Sequence, residues 1–150
     1  MKILPIKKPR PETKAEKLAR KKAKHKLSKS WKNKELKSLE KKADIAWSLK
    51  VRSVKKCELC GNSGDIKSFD AHHLIHRANK ITRWNTNNGA CLCKACHRFK
   101  VHMDTFTTAI LFEKLKEKRS QGWFEELDCL RYQIFKVDKK YLEDIIKSLS

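Results

Sequence analysis

Two CxxC pairs, Cys57/Cys60 and Cys93/Cys96, are separated by residues 61–92, and no other pattern in the chain constrains the fold as strongly. Each knuckle turns tightly enough to aim two sulfurs at one ion about 2.3 Å away, so the four thiols read as a closed, structural zinc site. A rubredoxin-like iron site would use the same ligands. Two disulfides are the bland alternative, but the opening MKILPIKKPRPE has no apolar signal-peptide core, which favours a reducing cytosol. Cys91 and Cys129 are read as ordinary buried thiols, since four thiolates complete a zinc shell and a free cysteine behaves as a small hydrophobe.

The 150 residues allow one compact domain plus extensions, and no run approaches the ~18 apolar residues of a membrane span. Charge is unevenly spread: residues 1–56 carry 21 basic and 5 acidic side chains, a balance of +16, whereas residues 57–150 carry 16 and 12, a balance of +4. Such an arm is expected to seek a polyanion, with binding that falls steeply as salt rises. Nucleic acid is favoured over acidic lipid, because the basic run lacks the bulky apolar residues of an interfacial helix. Lys21, Lys22, Lys24 and Lys26, with Arg77 and Arg83 further on, are the candidate phosphate contacts.

Pro5, Pro9 and Pro11 should keep the first dozen residues extended. Residues 1–30 are expected to form a basic arm, disordered or ordered by DNA. Residues 31–56 should form a docking helix, because Leu36, Leu39, Ala43, Ala46 and Trp47 recur at three- and four-residue steps. A turn at Gly61, Asn62 and Gly64 precedes a strand over 66–75; a loop covers 77–87, a short strand 90–92, and a helix begins at Lys94. This ββα core, 57–104, is too small to bury an adequate core, so zinc must contribute folding free energy. A helical extension, 105–150, follows. Phe106, Ile110 and Leu115 are its expected first core contacts, and helices over 123–135 and 138–149 complete it, with Asp138 as an N-cap.

The histidines around the knuckles suggest chemistry. Hydrolysis of a phosphodiester needs a base for water and a cation for the developing charge. His73 is the candidate base, provided its other ring nitrogen is held, commonly by a backbone carbonyl. His72 would point to the opposite face of a strand, so twisting at the strand end is needed if both are to serve one pocket. His97 and His102 stand about 140° out of register on an α-helix, so joint ligation requires that helix to end or bend.

DAHHL, then Asn88, then CKACHRFK resembles the HNH endonuclease signature in its zinc-knuckle form. The resemblance covers residues 57–102 and implies an α+β fold with a zinc-stabilised ββα-metal core, flanked by a basic N-terminal helix and C-terminal helices. It further implies His73 as general base and His72 and His97 as ligands of a catalytic Mg²⁺ or another divalent ion such as Mn²⁺, with His102 a variable last ligand. Asn88 then pins the loop or adds a ligand, and Asp70 supports the site from behind. A looser similarity in layout links the chain to the phage NinG/Rap recombination nucleases, which have DAGH and CN where this chain has DAHH and CH.

The leading expectation is therefore a cytoplasmic DNA endonuclease, in the host cytoplasm if phage-encoded, acting on branched or nicked DNA in recombination or DNA processing. A non-catalytic, zinc-stabilised DNA-binding module explains the thiols and the basic arm equally well, but not the joint placement of His72, His73, Asn88 and His97. An RNA-processing nuclease is a weaker third reading.

Overall fold

The structure, a computed structural model, describes residues 12–120 and 122–150, with backbone alone for 27–29. The three prolines expected to hold the N-terminus extended lie outside the described residues. Four α-helices, a two-stranded antiparallel sheet and a π-helix are found among the described residues, which makes the fold α+β and mostly helical. No helix among them is long and apolar enough to cross a membrane.

The expected division between an arm ending at residue 30 and a helix starting at 31 is replaced by one continuous helix, α1 (Lys14–Arg52). Residues 12–60 contain neither Gly nor Pro and are dominated by Lys, Ala, Leu and Glu, so nothing interrupts helix propagation. A capping box opens the helix: the Thr13 amide donates to Glu16 Oε2 at 2.8 Å, and the Glu16 amide donates to Thr13 Oγ1 at 3.2 Å. Two compact units meet within α1, one ending at Lys37 and the other running from Ser38 to Ser150. In the first, nearly every described side chain is exposed, including Lys21, Lys22, Lys24 and Lys26.

In the second unit, Ala43, Trp47 and Val51 recur at four-residue steps and are all buried. They form the apolar face expected of this segment, with Leu39 and Ala46 half-buried at its margin. Strands β1 (Phe69–His73) and β2 (Gly89–Cys93) pair antiparallel, with Phe69 opposite Cys93 and His73 opposite Gly89. The expected strand start at residue 66 is instead a single 3-10 turn, Ile66–Ser68, because the Asp65 side chain accepts from the Ile66 amide and caps it. Gly89 has a packing role: a Cβ there would overlap Val51 Cγ2 and stand 3.0 Å from Trp47 Cζ2. The close approach of α1 to the sheet depends on that missing methyl.

After β2 the chain enters a π-helix, Cys96–Val101, then turns a corner at Asp104, whose side chain caps α2 (Thr105–Lys118) by accepting from the Phe106 and Thr107 amides. The buried face of α2 is Leu111 and Leu115, not the expected Phe106, Ile110 and Leu115: Phe106 is 73% exposed and Ile110 38%. Extended backbone at Asp104 (φ −140°) restarts the helix in a phase that turns Phe106 outward. Helices α3 (Trp123–Arg131) and α4 (Lys139–Leu149) follow, the latter capped by Asp138 as expected. Cys129, expected to be buried, is exposed; Trp123 and Leu127 take the inner face of α3, and a residue two positions past Leu127 lies about 200° away.

Candidate metal centre and histidine cleft

Both CxxC knuckles meet. The sulfurs of Cys57, Cys60, Cys93 and Cys96 all lie within 4.8 Å of one another, and the Cys60 and Cys93 Sγ atoms, from different knuckles, are 3.8 Å apart. Tetrahedral bonds of ~2.3 Å to Zn²⁺ separate sulfurs by about 3.8 Å, so the four thiols fit a structural zinc ion. Local turns place them: Gly61, at φ +82°, lets the first knuckle close with its amide on the Cys57 carbonyl at 2.9 Å. All six cysteines are free thiols, and Cys91 is buried outside the cluster as expected.

The thiols differ in acidity. Burial pushes the Cys93 and Cys96 thiols up. Burial acts on Cys57 in the same sense, but the amides of Cys60, Cys93 and Leu59 outweigh it and pull that thiol down to about 7. A divalent ion at the centre of the four sulfurs would offset the charge and let them ionise together. Side chains from α2 and its C-cap brace the first knuckle and β2: Lys114 Nζ donates to the Leu59 carbonyl at 2.7 Å, and Arg119, the residue after α2, reaches Glu58 Oε1 at 3.2 Å and the Gly89 carbonyl at 2.6 Å.

A second cluster comprises His72, His97 and His102, whose ring nitrogens also lie within 4.8 Å of one another. The register problem between His97 and His102 is solved by the π-helix, in which i→i+5 bonding brings residues five apart onto one face. The His102 amide donates to the His97 carbonyl at 3.4 Å, and the two Nε2 atoms are 3.0 Å apart. The His97 Nδ1 donates to Asp70 Oδ2 at 3.1 Å, and because a carboxylate only accepts, Nδ1 carries the proton and Nε2 keeps its lone pair. Burial, with the repulsion that the His97, His102 and His73 rings would exert on a second imidazolium once protonated, brings the His72 imidazole down to about 4. It is therefore neutral, the form that can ligate.

His73 points to the other face of β1. Its ring stacks on Trp47 with centroids 3.8 Å apart and planes 15° from parallel, and its Nε2 lies 2.9 Å from the Arg83 carbonyl. That carbonyl requires an Nε2–H donor, leaving Nδ1 as the basic nitrogen. Burial, which disfavours the imidazolium, and the nearby Arg77 and Arg83 charges outweigh the Arg83 carbonyl and lower this pKa. Both His72 and His73 nonetheless line one cleft of about 500 Å³, together with His76, Arg77, His97 and His102.

Asn88 pins the loop and does not join the histidines. Fully buried, it accepts from the Ile75 amide (2.6 Å) and donates to the Ile75 and Thr82 carbonyls (3.0 Å each). Arg83, expected to contact phosphate, is instead buried: its Nε and Nη2 meet Asp44 Oδ1 and Oδ2 at 2.8 and 2.6 Å. A bidentate pair of this kind holds the loop onto α1 and leaves Arg83 no free face. Arg77 shares Asp44 at 3.1 Å but keeps 58% of its side chain exposed.

Three further residues contribute to the site. No motif marks Asp44, Trp47 or His76: Asp44 stands among the charges of α1, Trp47 belongs to the apolar face of that helix, and His76 lies two residues past DAHHL. No family profile, curated protein or solved structure matches this chain in the comparisons made with each.

Proposed function

We propose that the chain is a metal-dependent endonuclease of the HNH type that hydrolyses DNA phosphodiester bonds. The observation that carries this reading is the convergence of the His72, His97 and His102 nitrogens in the cleft that His73 also lines. Those three would hold a divalent ion, which when bound supplies Lewis-acid stabilisation of charge building on phosphate oxygens. Three imidazoles without a carboxylate suit Zn²⁺, Fe²⁺ or Ni²⁺ better than the Mg²⁺ or Mn²⁺ expected at first, because the last two favour oxygen ligands.

His73, protonated on Nε2 against the Arg83 carbonyl, has Nδ1 available to take a proton from an attacking water. Trp47 behind the ring keeps it from rotating away. Arg77, exposed at the cleft and only partly neutralised by Asp44, is placed to meet a phosphate oxygen. The lysines of the first unit supply sequence-independent attraction to the backbone of the partner DNA, and the expectation of branched or nicked substrates remains part of this proposal.

A supercoiled-plasmid nicking assay across Mg²⁺, Mn²⁺, Ni²⁺ and Zn²⁺ tests it. Cleavage that His73→Ala lowers by ~10²–10⁴-fold, with DNA affinity retained, is the expected result. Tight DNA binding with no cleavage in any of these ions would instead leave a zinc-stabilised DNA-binding module.

A further inference from the structure

The corner between the π-helix and α2 exposes apolar side chains that the cleft does not use. Phe99, Met103 and Phe106 are 72, 76 and 73% exposed. They alternate along the chain with residues that line the cleft, namely His97, Val101, His102 and Thr108. Met103 follows His102 directly, and Phe99 precedes it by three residues, within one helical turn. Three bulky side chains exposed within eight residues are a candidate contact surface.

The backbone beneath them is tied down. The Asp104 amide donates to the Lys100 carbonyl at 2.9 Å, and Thr108 Oγ1 donates to the Val101 carbonyl at 3.2 Å. Around the apolar side chains the exposed charges are Arg98, Lys100 and Asp104, and the Asp104 carboxylate is turned inward to the Phe106 and Thr107 amides and the Thr107 hydroxyl. The corner thus joins an apolar tip to a cationic side at Arg98 and Lys100, with one carboxylate, Asp104, tied to the start of α2. Three side chains fall well short of the ~800 Å² per partner of a stable protein interface. They do match the apolar wedges that enter between base steps while basic neighbours hold the phosphates.

We propose that this corner is a wedge: Phe99, Met103 and Phe106 enter between base steps of DNA bound at the histidine cleft, so the protein prefers DNA whose stacking is already interrupted. The proposal rests on the phosphodiester reading of the cleft. Stacked, continuous duplex resists the wedge because a base step must be opened, whereas a gap offers an open one.

The test uses the full chain with one equivalent of zinc for the thiol site and no further divalent ion, and duplexes carrying 2-aminopurine beside either a two-nucleotide gap or an intact step. The wild type should raise 2-aminopurine fluorescence at the gap, and Phe99→Ala/Phe106→Ala should abolish the rise. The same variant should lose about tenfold in affinity for gapped DNA and less than about twofold for intact duplex, with an unchanged salt slope since no phosphate contact is removed. Both rings are exposed, and circular dichroism checks that the fold is kept. Equal fluorescence from wild type and variant, or equal losses on gapped and intact DNA, overturns the wedge. So does a wild-type dimer in light scattering that the variant turns into a monomer, since the face then belongs to a second copy. Plasmid cleavage without a fluorescence rise removes the wedge and keeps the hydrolase; a rise that the variant abolishes, without cleavage in any ion, does the reverse.

Discussion

Replacing Asn88 tests whether one buried amide holds the loop that presents the candidate base. Asn88→Ala strips three hydrogen bonds and leaves the Ile75 amide and the Ile75 and Thr82 carbonyls without their partner. A buried group left unpaired costs about 1–3 kcal/mol. Thr82 is fully buried, but Ile75 is half-buried and water can recover part of its loss, so the expected total is roughly 2–4 kcal/mol. That is a large fraction of the ~5–15 kcal/mol available to a domain, and corresponds to a drop of about 5–15 °C in Tm. Asn88→Asp sharpens the test, since it has the same shape and keeps the Ile75 amide bond. Its second oxygen would face two carbonyl oxygens where Nδ2 now donates at 3.0 Å, and a buried charge is added. The expected stability order is therefore Asn above both variants, with Asp no better than Ala. Urea unfolding of the zinc-loaded protein, followed through the buried Trp47 and Trp84, reads this as a shift in midpoint at constant slope. Tolerance of Asp, or a loss below about 0.5 kcal/mol for Ala, would refute the assignment of Asn88 as the pin.

Cys93→Ser should lose bound zinc and the native circular dichroism together, because three thiolates no longer close the site that helps fold the domain; a folded, metal-free variant would count against the structural role. Gly89→Ala should destabilise by about 1–3 kcal/mol through overlap with Val51, and Val51→Ala should relieve part of it, so additive losses in the double variant would contradict the close approach. The imidazole of His73 should titrate below 6.5 in NMR, and the acid limb of kcat/KM, if set by this base, should rise with pH through that same midpoint. Arg77→Ala removes a neighbouring positive charge and should move both midpoints upward.

Legibility in the sequence followed the range of the interactions. The thiol site could be read because ligand type and knuckle spacing are local properties that the metal's geometry dictates. The carbonyl tie on His73 was foreseeable as a class of contact but not as Arg83, which depends on how residues 74–88 fold back. Asp44 could not be found: its acceptors and donors are joined only when Arg83, Trp84 and Arg77 arrive from more than thirty positions away. The same limit explains α2. Phe106, Ile110, Leu111, Phe112 and Leu115 nearly encircle that helix, so periodicity permits several phases, and the corner at Asp104 selects one. Spacing alone likewise lets His97 and His102 ligate together only if the helix ends or bends, because an α-helix would hold them about 140° out of register.

The π-helix turns that last point into a statement about insertions and deletions. On an α-helix, side chains four apart superimpose; on this segment, side chains five apart do. Removing one residue between His97 and His102 would therefore let the segment revert to α-helical bonding and still bring the two imidazoles together, whereas adding one would separate them. A histidine pair counted as x₃ in one chain and x₄ in another can thus describe a single spatial arrangement. Sequence comparison that scores a rigid gap would treat the two as unrelated, although the backbone has absorbed the difference as one wider turn.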